Sequence, residues 1–180
     1  MIAPLARTTA EARLYMDVKP CPSCRGHGFT GTSVVMLLDG RLYERHTGAC
    51  QECGADREFV FRVPPDEQLT LSMTDFGGPE PSELLDPGEW LTVADLVAGR
   101  EGGAGPTGFA IAAAAVDEVL KFVPAGAEEI PRTAFHSPEG REAYLRRPER
   151  FRRGRLEALA AALHEAANEP VDPEVDTPSA

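Results

Sequence analysis

Cys21-Pro22-Ser23-Cys24 and Cys50-Gln51-Glu52-Cys53 hold every cysteine of the chain, as two C-x2-C hooks with 25 residues between them. Each hook can bring two sulfurs to one point, so the pair supplies the four thiolates of a tetrahedral Zn²⁺ site. With all four positions filled by sulfur, no coordination position is left for water, and the expected ion is structural. The metal ligands expected from the sequence are therefore Cys21, Cys24, Cys50 and Cys53, holding one zinc. His27 and His46 flank the hooks and could stand in for a cysteine, but four sulfurs already complete the shell. The rival for paired cysteines is a redox dithiol, which sits at a helix N-terminus where the dipole lowers a thiol pKa. These hooks are expected between strands instead.

Outward from the hooks the pattern is β. Leu14, Met16 and Val18 alternate with Arg13, Tyr15, Asp17 and Lys19, which predicts a half-buried strand before the first hook. Ser33 to Leu38 and Arg41 to Arg45 read as a hairpin about Asp39-Gly40, where both turn residues need positive φ. Glu58 to Val63 is a further strand, stopped by Pro64-Pro65.

The order strand, hook, hairpin, hook, strand resembles the zinc-ribbon superfamily over about residues 13–63. Pro22 inside the first hook and Gly54 directly after the second are similar to that family's knuckles. A glycine there implies backbone N–H groups turned towards the thiolates. The first knuckle departs from the pattern, because Arg25-Gly26 follows Cys24. Residues 21–28, CPSCRGHG, also resemble one CxxCxGxG repeat of the DnaJ cysteine-rich region, which has four such repeats; here a single one marks a similar knuckle. The whole chain resembles a group of uncharacterised bacterial zinc-ribbon proteins, and that resemblance implies no activity.

Beyond Pro65 the signals turn helical. Leu69 to Leu71 allow one more short strand, and residues 75–81 are loop by composition. Asp86-Pro87-Gly88-Glu89 reads as N-cap, N1 and N3 of a helix carrying Trp90, Leu91, Ala94 and Val97, with Gly99 free to end it in the left-handed region. A second helix is predicted over 108–122, with Phe109, Ala113, Val116 and Leu120 inward and Asp117 paired to Lys121 outside. Ser137-Pro138 opens a third, and Pro148 separates it from a fourth with Leu156, Leu159 and Leu163 on its core face. The expected fold is α+β: a four-cysteine antiparallel zinc ribbon at 1–66, a helical region of about four helices at 67–168, and a disordered acidic tail at 169–180.

Charge narrows the function classes. The net charge is −11, of which residues 64–131 carry −11 themselves, while residues 1–63 carry +1 and residues 132–180 carry −1. That balance disfavours broad nucleic-acid binding, which rests on phosphate neutralisation. Sixteen arginines against two lysines, with much Ala, Gly and Pro, fit a GC-rich bacterial genome. No apolar leader follows Met1 and no run approaches a membrane span, so a cytoplasmic protein with reduced thiols is expected. The arginine run Arg141, Arg146, Arg147, Arg150, Arg152, Arg153 and Arg155, interleaved with Tyr144 and Phe151, has two readings: a nucleic-acid face, or an intramolecular partner for the acidic centre. The second is expected.

No catalytic constellation is legible. Asp75-Phe76-Gly77 lacks the other kinase elements, glycines 102–105 lack the Lys-Ser/Thr of a phosphate loop, and His164-Glu165 lacks a second histidine at 168. The expectation is a non-enzymatic protein acting through another protein, as adaptor, regulator or immunity-type inhibitor. The alternatives are a nucleic-acid-associated regulator using Arg141–Arg155 and a CxxC thiol oxidoreductase.

Overall fold

A computed structural model describes residues 3–64, 72–99 and 104–169. The elements run α1 (Thr9–Val18), β1 (Phe29–Leu38), β2 (Arg41–Cys50), β3 (Asp56–Arg62), α2 (Pro87–Ala98), α3 (Gly105–Leu120), α4 (Pro138–Arg146) and α5 (Arg153–Asn168), with short 3-10 turns at Arg132–Ala134 and Pro148–Phe151. The architecture is α+β: one antiparallel sheet in the order β1-β2-β3, and five α-helices among the described residues. Leu69–Leu71 and the tail beyond 169 lie outside the described residues, so the strand and the disorder expected there are not addressed. Among the described residues no helix is long and apolar enough to cross a membrane.

The hairpin forms where the sequence put it. Leu38 pairs with Arg41 around Asp39-Gly40, and both turn residues have positive φ, 49° and 74°. Both strands run longer than the alternation suggested, because Phe29↔Cys50 and Gly31↔Gly48 continue the ladder down to the second hook. β3 adds to β2 from Ala49↔Asp56 to Tyr43↔Arg62.

The segment expected as a first strand is instead the helix α1. Leu14, Met16 and Val18 imitate a period of two, but Ala12, Tyr15, Met16 and Lys19 also fall on one helical face. Thr8 decides the outcome: its hydroxyl accepts from the Glu11 N–H and caps a run of good helix formers. Tyr15 then packs edge-on against Phe59 and Phe61, with ring centroids 6.1 and 5.7 Å apart, so α1 lies across the inner face of the sheet.

Helix α2 starts as its sequence dictates. Asp86 accepts from the N–H groups of Gly88 and Glu89, while Glu89 returns a bond to the Asp86 N–H. Its end differs from expectation: Gly99 stands at φ −89°, outside the left-handed region, and simply donates to the Asp95 carbonyl. Helix α3 starts earlier than predicted, at Gly105, and buries Ala112, Ala113, Val116 and Val119. The outer pair also differs. Lys121 turns to Glu118 and to the carbonyls of Gly77 and Gly78, while Asp117 meets His164 Nε2 at 2.9 Å. Glu118 is buried, and its two oxygens are shared between Lys121 and Arg7, so both cations offset the cost of burying that carboxylate.

One apolar cluster connects sheet and helices. Met16 and Phe61 belong to it together with Leu85, Trp90, Val116, Phe135, Phe151 and Leu156. The arginine run lies along the outside of this cluster and is largely occupied within the chain. Arg150 makes a bidentate contact with Asp95 at 2.6 and 2.7 Å, Arg152 meets Glu129 at 3.0 Å, and Arg146 meets Glu142 at 2.6 Å. Arg153 and Arg141 donate to backbone carbonyls. Phe151 is buried, and Tyr144 packs at a tilt of 43° against Phe135.

Candidate metal centre

The two hooks are built by the same backbone turn. In the first, Arg25 N–H donates to the Cys21 carbonyl and Cys21 N–H to the Gly26 carbonyl. In the second, Gly54 N–H donates to the Cys50 carbonyl and Cys50 N–H to the Ala55 carbonyl. The residue after each hook therefore takes a left-handed conformation, Arg25 at φ 65° and Gly54 at φ 71°. The first hook leaves α1 through Lys19-Pro20, and the second closes the β2–β3 connection. The ladder pair Phe29↔Cys50 sets them face to face.

The residues inside the second hook clasp the first. Glu52 reaches across to accept from the His27 N–H at 3.0 Å, and Gln51 donates its amide to the Phe29 carbonyl and the Thr30 hydroxyl. Both side chains pass over glycines: a Cβ on Gly26 would overlap the Glu52 carboxylate, and one on Gly28 would lie 2.7 Å from Gln51 Oε1. The glycines of Cys-Arg-Gly-His-Gly thus serve close approach of the two hooks. Glu52 and Gln51 were not among the sequence candidates. Their position between two ligands was the available signal.

This folding gathers four sulfurs. Cys21 Sγ lies 3.8 Å from Cys53 Sγ and Cys24 Sγ 3.7 Å from Cys50 Sγ, and all four lie within 4.8 Å of one another. A regular tetrahedron with metal–sulfur bonds of about 2.3 Å has edges of about 3.8 Å. The two shorter distances match that edge, the group as a whole is positioned to hold an ion, and the four thiols are unbridged. Cys21 and Cys50 are buried, whereas Cys24 and Cys53 form the outer side. Gly26 N–H points at Cys24 Sγ from 3.4 Å, the backbone-to-sulfur contact expected of a knuckle.

Without an ion the sulfurs compete for protons. The backbone amides of Cys24 and then Ser23 pull the Cys21 thiol down to about 6. The Gly26 amide pulls on Cys24 too, but sharing with Cys53, burial and the other two sulfurs outweigh it and push that thiol up to about 12. Four sulfurs this close cannot all be anions unless a cation sits among them, and that is the chemistry a metal supplies.

Neither histidine joins the group. His27 turns its Nδ1 to the Val18 carbonyl at 3.0 Å, which ties the first hook to the end of α1. His46 lies on β2, edge-on to Phe61 and 3.3 Å from Glu44. Arg57 braces the hooks from the other side, donating to the carbonyls of Lys19 and Gly28.

Fold and site together define an α+β protein with a four-cysteine cluster, positioned to hold a metal ion, at one end of a three-stranded sheet. No family model, curated protein or solved structure matches the chain.

Proposed function

We propose that the chain is a zinc-ribbon protein that binds one structural Zn²⁺ through Cys21, Cys24, Cys50 and Cys53 and acts by contact with another protein. The observation that carries the metal half is the sulfur cluster: four thiol donors within 4.8 Å of one another, two of the pairs at 3.7 and 3.8 Å, can complete the coordination of a soft divalent ion. Such an ion holds the two hooks and therefore α1, the hairpin and β3 in one arrangement. A ribbon of this size has too little core of its own, and small zinc peptides draw on the order of 10 kcal/mol from the ion.

The interaction half is supported by how the charges are used. A free basic face is what nucleic acid requires, yet Arg141, Arg146, Arg150, Arg152 and Arg153 are engaged by carboxylates and carbonyls of the same chain. The acid of residues 64–131 exceeds what these arginines neutralise and can steer a basic partner. An adaptor, a regulator or an immunity-type inhibitor fits this surface.

Two measurements test the reading. Metal analysis of the purified chain is expected to give one zinc per molecule and a colourless protein; iron would colour it by thiolate charge transfer. Cys24→Ser is expected to lose the ion and the protected amides of residues 13–63. Unchanged metal content and circular dichroism in that variant would remove the metal site. Native copurification with and without nuclease then separates the partners. A stoichiometric protein retained after nuclease supports the interaction role, and one lost with nucleic acid overturns it in favour of the arginine run.

A further inference from the structure

We propose that the outer edge of β1 is a self-association surface, on which a second copy of the chain adds its own β1 antiparallel across a twofold axis. This inference is independent of the zinc and interaction readings above, since it rests on the sheet alone.

The two edges of the sheet are treated differently. Beside β3 the N-terminal segment runs parallel at Leu5↔Arg62, exchanging Ala6 N–H to Arg62 and Arg62 N–H to Pro4. That edge is closed further by Glu83, which holds both Arg62 and the Leu5 N–H. Beside β1, no strand among the described residues pairs. An open edge is a row of unpaired N–H and C=O groups, and proteins usually blunt one with a charge, a proline or a bulge. β1 reads Phe-Thr-Gly-Thr-Ser-Val-Val-Met-Leu-Leu: it has no charge and no proline, and its ladder to β2 is unbroken from Phe29 to Leu38.

The far half of that edge is apolar on both faces. Val34, Val35, Leu37 and Leu38 are 61%, 62%, 68% and 53% exposed, because α1 covers only the end near the hooks. They alternate, Val34 and Leu38 on one face and Val35 and Leu37 on the other, and leave roughly 200 Å² of apolar surface on each face, together about half of one partner's share in an ordinary interface.

Charge selects the occupant. β1 itself carries no charge that would select a foreign strand, and its neighbours on β2 alternate in sign, Arg45 opposite Val34 and Glu44 opposite Val35, so they favour neither an acidic nor a basic partner. Two copies repel each other through a net −11, but that excess resides in residues 64–131, and residues 1–63 are nearly neutral. The β1 edge is therefore where two like molecules approach at least cost. The register follows from the side chains. In a twofold antiparallel pair, opposed residues share a face, so the axis passes through a residue. Centred on Met36, Val34 meets Leu38 and Val35 meets Leu37 of the second copy. Centred on Val35, Leu37 would face Ser33 and Leu38 would face Thr32. The first register pairs all four exposed side chains with apolar partners, and the sheet becomes six-stranded.

The test uses the full zinc-loaded chain in light scattering coupled to gel filtration, over about 1–500 μM, the range a small interface requires. A mass rising from 19.4 kDa towards twice that value is expected. Val35→Lys and Leu37→Lys, both at exposed positions, should weaken association at least tenfold with unchanged circular dichroism. Met36→Cys should oxidise to a covalent dimer, since residues opposite themselves in an antiparallel pair stand within disulfide reach. Thr32→Cys, far from the axis, should crosslink much more slowly. A single-chain mass throughout, or association that both lysine variants leave intact, overturns the proposal; crosslinking at 32 as fast as at 36 overturns the register and with it the surface.

Discussion

At the residue scale, the two hooks show one backbone turn solved with two amino acids. Gly54 takes φ 71° freely, whereas Arg25 is held at φ 65° with an exposed side chain that gains nothing from the conformation. Left-handed backbone costs a non-glycine residue about 1–2 kcal/mol, and glycine returns about 0.5–1 kcal/mol of that through its looser unfolded state. Arg25→Gly is thus expected to stabilise the folded chain by about 0.5 kcal/mol, and Gly54→Ala to destabilise it by about 1 kcal/mol. The Gly54 substitution meets no atom within 4 Å, so its effect is conformational alone. Urea titrations of both variants at saturating zinc check the signs; a destabilised Arg25→Gly chain would mean the arginine side chain contributes something the geometry does not reveal.

At the scale of elements, what was legible in the sequence had local causes. The hooks, the Asp39-Gly40 turn, the Asp86 cap and the break at Pro148 each depend on residues within a few positions of one another. Helix α1 was misread because Leu14, Met16 and Val18 satisfy both periods, and the Thr8-x-x-Glu11 signal that separates them lies upstream of the apolar run. The ties between elements were not legible, since their partners are far apart in the chain. Asp86 is the clearest case. Its fully buried carboxylate caps α2 through Gly88 and Glu89 and also accepts from the N–H and hydroxyl of Ser137, itself the cap of α4. The two helix starts touch at Gly88 and Gly140, and a Cβ on Gly140 would overlap the Asp86 carboxylate. Asp86→Ala strips one cap and leaves the Ser137 donors buried without an acceptor. A loss of about 3 kcal/mol is expected, read as a lower urea midpoint in the fluorescence of Trp90. A loss no larger than that of an ordinary cap, about 1 kcal/mol, would show that Ser137 finds another acceptor.

At the scale of the molecule, α1 decides whether the metal centre stabilises one end or the whole. Its Tyr15 rests on the sheet, its end is tied to the first hook through His27, and its opposite side is bonded to the helices. Arg7, just before it, sits between Glu11 at 2.6 Å and Glu118 of α3 at 2.8 Å. Burial works against that guanidinium's charge, but the bonds to Glu11 and Glu118 outweigh it and hold its pKa above the ordinary value. Lys19 reaches Glu89 of α2 in the same way. A buried ion pair that loses one partner leaves an uncompensated charge, so freeing α1 from the hooks also disturbs α2 and α3. Removing the ion should therefore unfold the chain as a unit. Zinc sites in small domains contribute on the order of 10 kcal/mol, comparable with the 5–15 kcal/mol of a whole domain's stability. A strong chelator at pH 7 is expected to lower the melting temperature by at least about 15 °C, and acid should act in the same direction, since protons compete with the metal for the four sulfurs. The lone tryptophan makes the unit testable: Trp90 is fully buried in α2 and reports the helical half by fluorescence, while circular dichroism reports both halves. Coincident transitions after chelation would show one cooperative molecule joined through α1. A Trp90 transition that stays in place while part of the dichroism is lost would show two separately folding halves, with Arg7–Glu118 too weak to couple them.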